Sequence, residues 1–168
     1  MAGNSSFDVT TGVDYMEVRN AVDQATKEIT QRYDFKGVKV EITLSEKDKT
    51  ITLAAPDEFR LKAIWDVLQS KMVRRQVSLK NLEPGTIEAA AMASVRQVVT
   101  VKDGLSSDQA REIARYIKDA KLKKIQAAIQ GDTVRVSSPS KDELQGVITV
   151  LKQGDFGVDL QFGNFRSN

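Results

Sequence analysis

Ile51-Thr-Leu-Ala-Ala-Pro56-Asp-Glu-Phe-Arg-Leu61-Lys-Ala-Ile64-Trp-Asp-Val-Leu68 and Val134-Arg-Val-Ser-Ser-Pro139-Ser-Lys-Asp-Glu-Leu144-Gln-Gly-Val147-Ile-Thr-Val-Leu151 are one pattern written twice, at a constant offset of 83 residues. Apolar residues meet apolar residues at 51/134, 53/136, 61/144, 64/147, 65/148, 67/150 and 68/151, and the proline recurs. Alternating apolar residues before the proline make a strand. Apolar residues at three- and four-residue steps after it make an amphipathic helix. A strand that runs through a proline turn into a helix, used twice, predicts two similar domains.

The flanking sequence supplies the remaining elements. Phe7 to Gly12 reads as a short strand. Asp14 starts a helix with Val18, Ala21, Val22, Ala25 and Ile29 on its buried face. Val38, Val40, Ile42 and Leu44 alternate with polar residues as a strand with one wet face. After the first copy, Arg74 to Ala93 reads as a connector, with a turn at Glu83-Pro-Gly85. Val95 to Val101 is the next strand, and Ser106 caps a helix with Gln109 at the capping-box position. Lys124 to Gln130 forms a hairpin with the second copy's strand through Gly131-Asp132. Val158 to Phe162 reads as a last strand, followed by a tail. Each half is β-α-β-β-α-β. The expectation is an α+β fold of two domains, residues 1–85 and 86–168. Each is a four-stranded, mainly antiparallel sheet with two helices on one face, as in ferredoxin-like and RNA-recognition sandwiches. The terminal strands are free to exchange between the two sheets. The sheet face without helices must meet solvent, the other domain or a ligand.

Composition excludes much chemistry. The chain has no Cys and no His, so thiol nucleophiles, Cys/His zinc sites and His proton shuttles are absent. Neither a P-loop nor a Rossmann glycine motif occurs. The acidic pairs Asp57-Glu58 and Asp142-Glu143 sit at helix starts, where acids favour the helix dipole. No catalytic residue, metal site or cofactor is assigned. Met1 to Ser6 lacks the basic and apolar regions of a signal peptide, and no apolar run spans a membrane, so a cytoplasmic location is expected. With 25 basic and 23 acidic residues, any anionic partner must be held by a local patch.

Two such patches are legible. Arg111, Arg115 and Lys118 form a stripe beside the apolar face of the third helix, continued by Lys121, Lys123 and Lys124. The bland reading is a solvated helix face, and the alternative is phosphate contact. Phe162, Asn164, Phe165 and Arg166 interleave aromatic, amide and guanidinium groups, which can stack a base, read its edge and hold a phosphate. The bland reading is a tail anchored to the core by its phenylalanines. The strands Thr50 to Ala55 and Thr133 to Ser138 carry no aromatic residue, which argues against conventional single-strand RNA readout.

Ser6-Phe-Asp8, Glu17-Val-Arg-Asn-Ala-Val-Asp-Gln24, Arg32-Tyr-Asp-Phe-Lys-Gly37, Ile129-Gln-Gly-Asp-Thr-Val-Arg-Val136 and Phe162-Gly-Asn-Phe-Arg166 occur in this order. In them the chain resembles the YajQ family of small bacterial proteins over essentially its whole length. The resemblance implies two α+β domains and binding of nucleotides, with purine nucleotides and tRNA as ligands. It also implies, as in some members, a cyclic di-guanylate ligand and a transcription-factor partner, and no catalytic activity. Residue chemistry adds Arg19, Asn20, Arg32, Phe35 and Lys36 to the candidate nucleotide-binding set. The function expected is a non-enzymatic nucleotide-binding module binding GTP, ATP, cyclic di-guanylate or RNA. The alternative is a protein-interaction adaptor that uses its open sheet faces.

Overall fold

The structure is a computed structural model and describes residues 4–167. The reading of the opening segment as no signal peptide falls partly on residues 1–3, outside the described residues. Along the chain run β1 (Ser5–Thr10), α1 (Tyr15–Gln31), β2 (Glu41–Ser45), β3 (Thr50–Ala55), α2 (Glu58–Arg74), β4 (Leu82–Pro84), β5 (Glu88–Ala89) and β6 (Val95–Val101). Then follow α3 (Ser107–Asp119), β7 (Gln126–Gln130), β8 (Thr133–Ser138), α4 (Lys141–Lys152) and β9 (Gln161–Arg166). No helix among the described residues is long and apolar enough to cross a membrane.

Residues 13–103 form one compact unit. Its sheet runs β2-β3-β6-β4, with the short β5 also on β6, and each pairing is antiparallel. Ile51, Leu53, Val99 and Val101 share a core with Val18, Ala25 and Ile29 of α1 and with Leu61, Ile64, Leu68 and Met72 of α2. Each Val, Ile, Leu or Met among them contributes about 1.5–3 kcal/mol by leaving water. Asp57 caps α2 by accepting from the Arg60 amide at 2.8 Å. Of the matched apolar positions on α2, Val67 is buried and Trp65 is only half-buried.

Residues 4–12 and 104–167 form the second unit. Its sheet runs β7-β8-β1-β9, again antiparallel throughout. Phe7, Val9, Val134 and Val136 pack with Ile113 and Ile117 of α3 and with Val147 and Leu151 of α4. Ser106 and Gln109 complete a reciprocal capping box on α3, and Ser140 caps α4 through the Glu143 amide. Strand alternation turns Ser6, Asp8, Arg135 and Ser137 to the face away from these helices.

The α+β architecture is therefore as expected, but its division differs from 1–85 and 86–168. β1 lies between β8 and β9, and β6 lies between β3 and β4. The first strand of each half sits in the sheet built by the other half. The unit of residues 13–103 is thus an insertion between β1 and α3. The connector, residues 74–93, also contributes β4 and β5 to the sheet edge. Asn81, buried in that connector, donates to the Lys102 carbonyl at 2.8 Å.

Candidate functional site

The last strand is Gln161–Arg166, later than the expected 158–162. It pairs with β1 as Thr10 with Gln161, Val9 with Phe162, Asp8 with Gly163 and Ser6 with Arg166. Between the last two pairs β9 advances one residue more than β1, which is a β-bulge. Asn164 occupies it with φ of 52°, in the left-handed region that asparagine tolerates better than most residues. The bulge resets strand alternation. Phe162 and Phe165 are three apart and would face opposite sides of a regular strand. Instead both reach Phe7, with ring centroids at 6.0 and 5.8 Å.

A polar cluster holds the bulge. Asn164 Nδ2 donates to Asp8 Oδ2 at 2.7 Å, and Arg135 Nε donates to Asp8 Oδ1 at 2.9 Å. Asp8 is only 8% exposed. The Arg135 hydrogen bond holds its carboxyl below the usual aspartate range against the opposing effect of burial, and Asn164 and the Arg166 charge act in the same direction as Arg135.

Beyond the bulge lies a cleft of about 140 Å³, lined by Ser5, Ser6, Lys141, Gln145, Phe165 and Arg166 among others. Phe165 is 61% exposed. Lys141 opens the first turn of α4, and Gln145 lies one turn on along the same helix face. Among the described residues no acidic side chain lines this cleft. It brings together an aromatic ring, two cations, an amide and the three serines Ser5, Ser6 and Ser167.

Phe165 and Arg166, both picked from the sequence, line this cleft. Asn164 acts from behind them through Asp8. Phe162 has turned inward, half-buried against the core. The other picks lie in the unit of residues 13–103. There Arg19 pairs with Glu46 at 2.5 Å, and Asn20 donates to Glu17 at 3.3 Å. Arg32 pairs with Asp34 at 2.8 Å and lies 5.3 Å from the Phe35 ring centroid. Phe35 is a correction: it is 3% exposed and belongs to the core, so no base stacks on it. The turn Tyr33–Phe35 sends Phe35 inward and leaves Tyr33 exposed. Lys36 is exposed beside it.

In the basic stripe, Arg111 pairs with Asp108 on α3. Arg115 and Lys118 border a separate cavity of about 500 Å³ between α3 and β7. Lys121, Lys123 and Lys124 are exposed in the loop that follows α3. Sequence reasoning did not select Lys141, Gln145, Ser5 or Asp8 for the site. The signal for Arg135 and Asp8 was a lone charge on each of two alternating strands, but their pairing needed the strand exchange to be known.

Comparison with known proteins agrees over the whole chain. A family model described as "Nucleotide-binding protein YajQ-like" matches residues 5–166. A Koribacter versatilis protein named as a nucleotide-binding protein is 55% identical over 168 residues, all of both chains. Similar proteins, also so named, are 52% identical in Carboxydothermus hydrogenoformans, over 99% of this chain and 100% of the relative, and 52% identical in Geotalea uraniireducens, over 96% and 98%.

Proposed function

The chain belongs to the YajQ-like family, and on that premise we propose that it binds a purine nucleotide, without turning it over, in the cleft between the start of α4 and the β1–β9 pair. The observation that carries this reading is the exposed ring of Phe165 in one cleft with Lys141 and Arg166. A base stacked on such a ring gains about 1–3 kcal/mol. Lys141 and Arg166 supply the charge for phosphate oxygens, Arg166 as a planar fork and Lys141 as a point charge. Gln145 offers both a donor and an acceptor to a base edge. At about 140 Å³, the cleft takes one part of the ligand, a ring or a phosphate. The remainder lies along the sheet end, where larger ligands such as cyclic di-guanylate or RNA find room. The relatives' names as nucleotide-binding proteins support the ligand class.

The test is calorimetric titration with GTP, ATP, cyclic di-guanylate and a short RNA. Saturable binding of at least one is expected. Phe165→Ala, Arg166→Ala and Lys141→Ala should each weaken it by about tenfold, the loss of one good stacking or ionic contact. Unchanged affinity in all three variants would place the ligand elsewhere. No binding by the unaltered protein at low salt would overturn the reading itself.

A further inference from the structure

The edge strand β7 has a single neighbour, β8. All five of its residues, Gln126 to Gln130, are exposed. Exposed sheet edges are normally blunted by charge, proline, a bulge or a covering element. The strand Gln-Ala-Ala-Ile-Gln has no charge and no proline, and its pairing with β8 is regular over its whole length. The opposite edge, β9, carries both a bulge and Arg166. Beside β7 runs the cavity of about 500 Å³, floored by Ile117, Leu122, Ile125 and Ala127 and bordered by Arg115 and Lys118. Ile129 adds an aliphatic side chain that is 46% exposed.

We infer that β7 is a docking edge for an extended acidic segment of another protein, which pairs as an added strand. Such a segment would satisfy the free backbone groups of β7. Its alternate side chains would project towards the cavity and, on the other side, over Gln126, Ala128 and Gln130. The apolar floor selects aliphatic residues on the first side. Charge selects acids around them, because residues 111–130 hold six basic side chains against Glu112 and Asp119. The same charge opposes a second copy of this chain, which would bring like charges together. Single-stranded RNA fits less well, since no aromatic residue lines the cavity for its bases.

The test uses a short fluorescent peptide alternating glutamate with valine, titrated into the full-length protein at low salt and followed by anisotropy and amide NMR. Saturable binding is expected, with amide shifts centred on residues 126–130. A proline at the peptide's centre should weaken binding by about tenfold, because it removes a strand hydrogen bond. The double variant Arg115→Glu, Lys118→Glu should do the same through charge while leaving the melting temperature unchanged. The proposal is overturned if the peptide does not bind. It is equally overturned if polyglutamate or the proline peptide binds as well, if a single-stranded RNA gives the same shifts and displaces the peptide, or if the protein self-associates through β7.

Discussion

Asn164 donates its side-chain amide to Asp8 Oδ2 at 2.7 Å, and the two residues lie 156 positions apart in the chain. The bond joins β9 to β1 where their register shifts. It gives a buried carboxylate a partner, and it holds the bulge that turns Phe165 towards Phe7. Phe165 and Arg166 follow that bulge directly, so the shape of the cleft depends on it.

Asn164→Val should therefore disturb more than Asn164→Gly. Both lose the bond to Asp8, but valine also meets a left-handed backbone that its branched side chain resists. Valine is expected to cost about 2–3 kcal/mol, and glycine about 1 kcal/mol because it relieves φ. Urea unfolding checks the order. Equal losses would mean that the backbone conformation is not what fixes the residue.

Asp8 also explains which sheet receives β1. Its partner across the strand pair is Arg135. The matching position in the first copy, 83 residues earlier, is Thr52, which offers no charge and faces Val98 of β6. Opposite charges on facing strands thus select β8 for β1. Asp8→Asn should cost about 2 kcal/mol at neutral pH, as hydrogen bonds to a charged group are lost.

The pH dependence has a defined sign. The folded-state pKa of Asp8 is lowered, so its contribution is full above the ordinary aspartate value near 4 and fades as pH falls through the folded value. The gap between the wild-type protein and Asp8→Asn should narrow below about pH 4 and persist above it. A gap of the same size across the acid range would show that the ionised carboxylate is not responsible.

Strand exchange makes a further test by dissection. A fragment of residues 13–103 retains every strand of its sheet and should unfold cooperatively by itself, with Trp65 as the probe. A fragment of residues 86–168 lacks β1, and with it Phe7 and Val9, both fully buried. It should fail to fold alone and recover on addition of a peptide spanning residues 1–12. Cooperative folding of the 86–168 fragment without that peptide contradicts the exchange.

Much of this was legible in the sequence, for stated reasons. The helices announced themselves because Val18 to Ile29, Leu61 to Met72 and Leu144 to Leu151 repeat at helical steps. The strands did so because Val134 and Val136 alternate with polar residues. Periodicity fixes an element and its buried face, but it does not say which neighbour the strand pairs with. The pairing of β1 with β8 includes a contact between Asp8 and Arg135 that spans 127 positions. The bulge was hidden for a related reason. Gly163-Asn164 is a bulge signal only within a strand, and it lies beyond the expected strand of residues 158–162, so Phe162 and Phe165 looked equally available. Phe35 looked like a stacking residue because an aromatic beside Arg32 and Lys36 suits either a base or a core, and the turn at Tyr33 decides for the core. Lys141 and Gln145 were read only as parts of a helix start, since the end of β9 that they face was taken for a tail.

Two glycines near α4 should respond to alanine with opposite signs. Gly146 lies inside the helix, where a Cβ would meet nothing within 4 Å. Alanine there reduces unfolded-chain entropy and is expected to stabilise by about 0.5–1 kcal/mol. At Gly154 a Cβ would lie 2.9 Å from two ring atoms of Phe156 and 3.2 Å from Tyr116 Cζ. Those rings pack edge to face with centroids at 5.3 Å, and Phe156 is buried, so neither ring can swing aside freely. Gly154→Ala should destabilise by about 1–3 kcal/mol through overpacking. Thermal melts of both variants decide the matter. Since neither glycine lines the cleft, Gly146→Ala should raise the melting temperature while leaving nucleotide affinity unchanged. A stabilised variant with altered affinity would tie the cleft to helix dynamics instead of to the fixed placement of Lys141 and Gln145.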